Sequence, residues 1–372
     1  MFKDFFETWK NVNNAINLES KWREIVFYSE GPWLTSHFAP LIQELTDNRD
    51  RKITLLTSSK DDLLNLKFSK NLRIFYIGSQ SARTHLFKKF PAKLMIMSTP
   101  NLQNMQLKKE KSTKYYYLHH SPCSTHMIYN ENAFDHFDGM FCIGSYQRDE
   151  VLEREKKESL NKKNLLESGY PRFDNLKQSS NRLNVKNYIL IAPSWGKNSI
   201  TNMCLFDLVK KLVDNKYNII LRPHNRSYIK NKKKLLNVIS SFKENKYFTL
   251  DDSPDSSNSI NKSKILITDW SGISFEYLIQ SKPIIFIDMP PKVNNKNYKK
   301  SSFTPLEISM RNVIGEILNF DDIVNSDSQI LINKINNVSS KISNNNKFIK
   351  NNFYNFGNSI NKICNQIEQL IN

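Results

Sequence analysis

Four short polar clusters in this chain carry residue types that handle phosphate and protons. Arg222-Pro223-His224 joins a fixed cation to an imidazole, and Ser271-Gly272 joins a hydroxyl to a residue whose missing Cβ lets an anion approach backbone N–H groups. Pro193-Ser194-Trp195-Gly196 adds a hydroxyl and an indole. The run Tyr117-Leu118-His119-His120-Ser121-Pro122-Cys123-Ser124-Thr125-His126 holds three of the chain's seven histidines. Histidine is the side chain whose ordinary pKa lies closest to working pH, so it suits removal of a proton from an attacking hydroxyl.

Three of the clusters stand at the end of an apolar, β-branched run, and the histidine cluster follows the aromatic run of Tyr115 to Tyr117. Strands are predicted over 188–192, 217–221, 247–250, 265–269 and 283–287. Helical spacing follows at Leu205, Leu208, Val209 and Leu212, at 235–239, and at Ile273, Tyr277 and Leu278. The N-terminal half repeats the alternation, with strands at 24–29, 52–57, 72–77, 93–98, 114–119 and 139–143 and helices over 34–45 and 146–157. Strands alternating with helices imply parallel sheets, whose ligands bind beyond the carboxyl ends of the strands. Converging on one such edge, Ser194 and Trp195, Arg222 and His224, and Thr268, Asp269, Ser271 and Gly272 would hold a nucleotide diphosphate. Asp251, Asp252 and Asp255 lie on a Ser/Pro-rich loop and read as a turn, so neither a metal nor another cofactor is expected.

APSW, RPH and TDWSGISFEY, each after a strand, together with Gly169-Tyr170-Pro171-Arg172-Phe173-Asp174, resemble the CDP-glycerol glycerophosphotransferase family. Its members are teichoic-acid primases and polymerases and their capsule relatives. The motifs cover 115–288; the first hundred residues are similar in pattern only. The resemblance implies a GT-B fold, two Rossmann-like α/β domains with parallel sheets facing a central cleft. It implies a CDP-glycerol or other CDP-alditol donor and an anionic polymer or lipid-linked acceptor. By the same resemblance His224 is the family's second essential histidine, Arg222, Ser271, Gly272, Thr268 and Ser194 face the donor phosphates, and Glu276, Asp269 and Trp195 the nucleotide. Glu276 on its helix reads equally as solvent-facing. The family's base is a histidine in a short His-Gly-type segment, which His119-His120-Ser121 offers in two registers. His120 is the favoured base, with His119 and Ser121 beside it and Glu30 and Gly31 on the acceptor side.

At 372 residues the chain exceeds one ordinary core. The expected division is a domain at 1–167, a linker at 168–184, a donor-binding domain at 185–328, and helices over 329–372 that pack back towards the first domain. With 39% hydrophobic residues and no apolar run of spanning length, a cytoplasmic protein is expected, peripheral on the inner face of the membrane. The net charge of +18 reads either as Lys/Asn-rich codon usage or as attraction to anionic lipid and polymer. Nucleic acid is not an expected partner, because no basic run is interleaved with aromatics. Cys123, Cys142, Cys204 and Cys364 are too far apart for a metal or redox pair. The rival readings are a GT-B sugar-nucleotide glycosyltransferase or epimerase, and a non-catalytic basic protein that binds polyanions or membrane.

Overall fold

The structure is a computed structural model that describes residues 2–62, 69–180, 187–324, 327–338 and 342–372. The end of the expected linker, 181–184, lies outside them. The chain forms two units: Met1–His120 with Tyr129–Asp174 and Phe353–Asn372, and Ser121–Ile128 with Asn175–Asn352.

Unit 1 is built on a seven-stranded sheet of β1 (Ile25–Ser29), β2 (Ile53–Thr57), β3 (Leu72–Tyr76), β4 (Leu94–Met97), β5 (Lys114–Leu118), β6 (Gly139–Cys142) and β7 (Asn164–Glu167). The strand order is 3-2-1-4-5-6-7 and every pairing is parallel. β1 reads IVFYS and is buried throughout, as expected of a central parallel strand covered on both faces. Gly31-Pro32 opens the helix Pro32–Gln43, with proline at a first-turn position where its missing N–H costs nothing. Against Phe38, Leu41 and Leu45 packs the apolar stripe of the last helix, Ser359–Ile371, through Ile363, Cys364, Ile367 and Ile371. Burial of each large aliphatic side chain is worth about 1.5–3 kcal/mol. Asp174 fixes that helix's start by accepting the Ile360 N–H at 2.8 Å.

Unit 2 has six parallel strands: β8 (Tyr188–Ile191), β9 (Asn218–Leu221), β10 (Phe248–Leu250), β11 (Ser263–Thr268), β12 (Ile284–Asp288) and β13 (Glu316–Asn319), in the order 10-9-8-11-12-13. Leu205, Leu208, Val209 and Leu212 bring one helix face onto Ile189, Ile191, Leu221 and Ile267. Helices Ser328–Asn337 and Ile342–Asn352 belong to this unit, whereas Ser359–Ile371 belongs to unit 1. Two edge strands, β7 and β13, were not anticipated, nor was the helix Pro171–Ser180 inside the expected linker.

Candidate functional site

The order of the second sheet reverses between β8 and β11, the place where a parallel sheet opens a ligand crevice. Asp269 stands there, 1% exposed. Its Oδ1 accepts the Ser194 N–H at 2.6 Å and its Oδ2 the Ile200 N–H at 2.9 Å. Thr268 donates its hydroxyl to the Ala192 carbonyl at 2.7 Å. Both side chains, expected to face a donor, instead tie the β8 and β11 exit loops together, because a polar group buried at a strand end must be satisfied locally. Arg311 completes the knot: it donates to the Asp269 and Ile287 carbonyls, both at 3.1 Å, and its guanidinium lies 4.2 Å from the Trp270 ring. Burial draws the Arg311 pKa down.

Beyond β9, Arg222 is also committed within the fold. Its guanidinium bonds to Asp251 Oδ2 at 2.7 Å, to Ser253 Oγ at 3.3 Å and to the Pro254 carbonyl at 3.4 Å, so it shapes the loop after β10 and not a free phosphate site. His224 is set differently. Its Nδ1 accepts the Arg226 N–H at 3.1 Å, which leaves the neutral ring's proton on Nε2 as a donor. The His224 ring centroid lies 6.1 Å from Trp195, and the same indole carries Lys292 Nζ at 4.1 Å and the Arg226 guanidinium at 4.9 Å. Lys292 and Arg226 escaped the sequence reading because the polar positions of this chain are filled with lysine and asparagine.

Residues 121–128 belong to unit 2 although unit 1 surrounds them in the chain. Buried Glu307 accepts both the N–H (2.9 Å) and the hydroxyl (2.8 Å) of Ser124, and Asn295 Nδ2 donates to the His126 carbonyl at 2.9 Å. The segment so held brings Ser121 over Gly272: a Cβ there would meet Ser121 Oγ at 2.2 Å, a close approach that only glycine permits without Ser121 turning away. Ser271 is half-buried beside it, and its carbonyl accepts from the Ser274 hydroxyl at 2.9 Å. Glu276 is buried, with Oε2 accepting from Ser256 Oγ at 2.8 Å, so it joins two helices and does not face solvent.

In unit 1 the two adjacent histidines have opposite surroundings. His119 is 1% exposed, edge-on to Tyr117 (4.9 Å) and near Phe134 (5.8 Å), with neither ring nitrogen hydrogen-bonded among the described residues. Burial, helped by the neighbouring His120 charge, pushes its pKa down to about 3. It is a neutral core residue with no polar contact to offer an acceptor. His120 is half-buried, its Nδ1 3.3 Å from the Tyr117 hydroxyl and its carbonyl accepting from Tyr170 at 3.0 Å. His37, which no sequence motif singles out, lies 6.1 Å from the His120 ring and 3.3 Å from the Tyr170 hydroxyl. Burial, Arg172 and His120 together hold its pKa well below the usual value. Nothing in the spacing from 37 to 120 could have paired them. Glu30 accepts from Arg83 at 3.1 Å, and Gly31 N–H donates to Ser29 Oγ at 3.1 Å, with the Trp33 ring packed where a Cβ would stand.

A family model described as CDP-glycerol:poly(glycerophosphate) glycerophosphotransferase matches residues 13–369. The minor teichoic acid biosynthesis protein GgaB of Bacillus subtilis (strain 168) is 26% identical over 173 residues, which are 38% of this chain and 18% of that relative's length. The chain therefore matches less than a fifth of this curated relative. Among solved structures, the wall teichoic acid polymerase TagF superposes with TM-score 0.62 at 16% identity, over 100% of this chain and 98% of that one. A UDP-GlcNAc 2-epimerase from Methanocaldococcus jannaschii, in complex with UDP-GlcNAc and UDP, gives 0.57 at 14% identity over 93% and 99%. At such identities the likeness is one of fold: two parallel-sheet α/β domains of the GT-B type.

Proposed function

The chain belongs to the CDP-glycerol:poly(glycerophosphate) glycerophosphotransferase family, and from that premise we propose that it moves a glycerol-phosphate or related alditol-phosphate group from a CDP-activated donor to an acceptor hydroxyl during synthesis of a cell-surface polymer such as teichoic acid or capsule. The observation that carries this reading is the family match over nearly the whole chain. Unit 2 binds the donor. In the tautomer whose Nδ1–H faces the Tyr117 hydroxyl, 3.3 Å away, His120 has its lone pair on Nε2 and takes the proton of the acceptor hydroxyl there. That oxygen bonds to the β-phosphorus, the bond from this phosphorus to the bridging oxygen breaks, and CMP leaves with the electron pair. The Nε2–H of His224 and the Ser271-Gly272 turn stabilise charge on the phosphates. Thr268, Asp269, Arg222 and Glu276, already bonded within the fold, act as positioning residues. Ser194 does the same, since its N–H is given to Asp269.

The acceptor is read as an anionic polymer or lipid-linked chain at the inner membrane surface. The net charge of +18 supports this reading, and no helix among the described residues is long and apolar enough to cross a membrane.

The test is nucleotide release. CDP-glycerol, CDP-ribitol, UDP-GlcNAc and UDP-glucose are each incubated with the protein and an alditol-phosphate acceptor, and CMP or UDP is followed by mass spectrometry. CMP from a CDP-alditol alone is the expected result; turnover of a UDP-sugar without CMP would overturn the assignment.

A further inference from the structure

Trp195 stands at an unusual meeting of charges. Lys292, on the chain after β12, sits 4.1 Å from its ring centroid, and Arg226, on the chain after β9, sits 4.9 Å away. Two cations that share one indole repel one another, and each indole contact offsets part of the desolvation cost without neutralising charge. Among the described residues neither the Lys292 ammonium nor the Arg226 guanidinium has an ion pair or a hydrogen-bonded partner. Elsewhere in unit 2 the partly buried cations are engaged: Arg222 by Asp251, Lys282 by three backbone carbonyls, Arg311 by two. The groups facing Lys292 are the Asp269 carboxylate, which is held by two N–H groups, the Cys123 thiol and Arg226, while His224 packs on the same indole with Nε2–H as a donor. Lys292 is half-buried and Arg226 is exposed beside it; a half-buried ammonium next to a second cation, without a counter-ion, is an anion site open to solvent, and its three elements are the exit loops of β8, β9 and β12.

We propose that Lys292 and Arg226, mounted on Trp195, form an anion clamp for the phosphates of the nucleotide, and that Lys292 is the residue that carries the charge of the departing nucleoside monophosphate. This rests on the CDP-donor reading and extends it to residues outside the recognised motifs. Burial lowers the Lys292 pKa to about 8, with Arg226 adding to the shift and Asp269 and Cys123 opposing it. An arriving phosphate restores the ammonium, so anion affinity is greatest below pH 8 and falls as the pH rises beyond it.

The test measures binding of cytidine, CMP, CDP and inorganic pyrophosphate to the wild type, Lys292→Met, Lys292→Arg and Arg226→Met between pH 6.5 and 9.5. Calorimetry gives affinity, and indole fluorescence, with Trp195→Phe as control, reports the clamp. Lys292→Met keeps the aliphatic packing on Trp195 and should bind CDP, CMP and pyrophosphate roughly tenfold or more weakly, cytidine unchanged, with the alkaline fall in affinity gone. Lys292→Arg should restore affinity without the alkaline fall. Equal CDP and pyrophosphate affinity in wild type and Lys292→Met would overturn the clamp and leave the donor reading standing. Pyrophosphate binding that depends on Lys292 in a protein blind to CMP and CDP would keep the anion site and overturn the donor reading.

Discussion

His119, buried in the aromatic nest of the HHSP segment, makes the protein's stability depend on acid. Its pKa falls from an ordinary 6.5 to about 3 in the fold. The folded ring stays neutral while the unfolded chain takes up a proton below pH 6.5, so the stability this group permits is complete above 6.5 and is lost as pH falls towards 3. At 1.36 kcal/mol per unit, the loss at pH 5 is about 2 kcal/mol. His119→Phe keeps the edge-on contacts with Tyr117 and Phe134 and removes two buried nitrogens that lack hydrogen bonds. Urea denaturation at pH 7.5 and pH 5 should show the wild type losing about 2 kcal/mol more than the variant across that interval, and the variant should retain alditol-phosphate transfer. His120→Ala should instead lower transfer by roughly 10²–10⁴-fold at unchanged donor affinity. Equal acid sensitivity in wild type and His119→Phe would refute the buried, neutral assignment. A slow His119→Phe protein beside an active His120→Ala protein would reverse the register.

Other substitutions separate chemistry from scaffolding. His224→Ala should lower turnover by about 10²–10³-fold while the urea midpoint stays put, because the lost group is a donor to phosphate. Arg222→Ala should act chiefly on stability, by about 1–3 kcal/mol, through the deprived Asp251 carboxylate; a turnover loss equal to that of His224→Ala with no change in stability would return Arg222 to the donor site. Gly169→Ala should destabilise unit 1 by about 2–4 kcal/mol, because its φ is +92° and a Cβ would stand 2.5 Å from the Tyr354 carbonyl oxygen. A shift under about 0.5 kcal/mol in a denaturation curve would contradict that geometry.

The strands that carry the unit 2 chemistry were legible because each is a β-branched run ending in a polar cluster, as at Ile191, Leu221 and Thr268, and the strand before His119 and His120 was legible by its aromatic run. β7 (NLLE) and β13 (EILN) were not, since four-residue, half-buried edge strands carry no clear period. Composition at a strand end also does not reveal direction. Asp269 and His224 look alike in the sequence as polar residues after a strand, yet one is turned inward to two N–H groups and the other accepts one N–H on Nδ1 beside the Trp195 indole. The choice between His119 and His120 depended on the aromatic nest of Tyr117 and Phe134, which is assembled from residues up to 17 positions apart. His37, Lys292 and Arg226 join their clusters only through folding.

Neither unit is a continuous stretch of chain, which matters while the polypeptide is being made. Unit 1 takes in Phe353–Asn372, about 180 residues after Asp174. At translation speeds of about 5–20 residues per second, the surface of Phe38 and Leu41 that the last helix covers stays bare for roughly 10–40 s after the rest of unit 1 has left the ribosome. The nascent first half thus presents an apolar groove to the cytosol throughout synthesis of unit 2. Ribosome-bound chains stalled before residue 353 should be chaperone clients, and supplying the 353–372 segment as a separate peptide should release them.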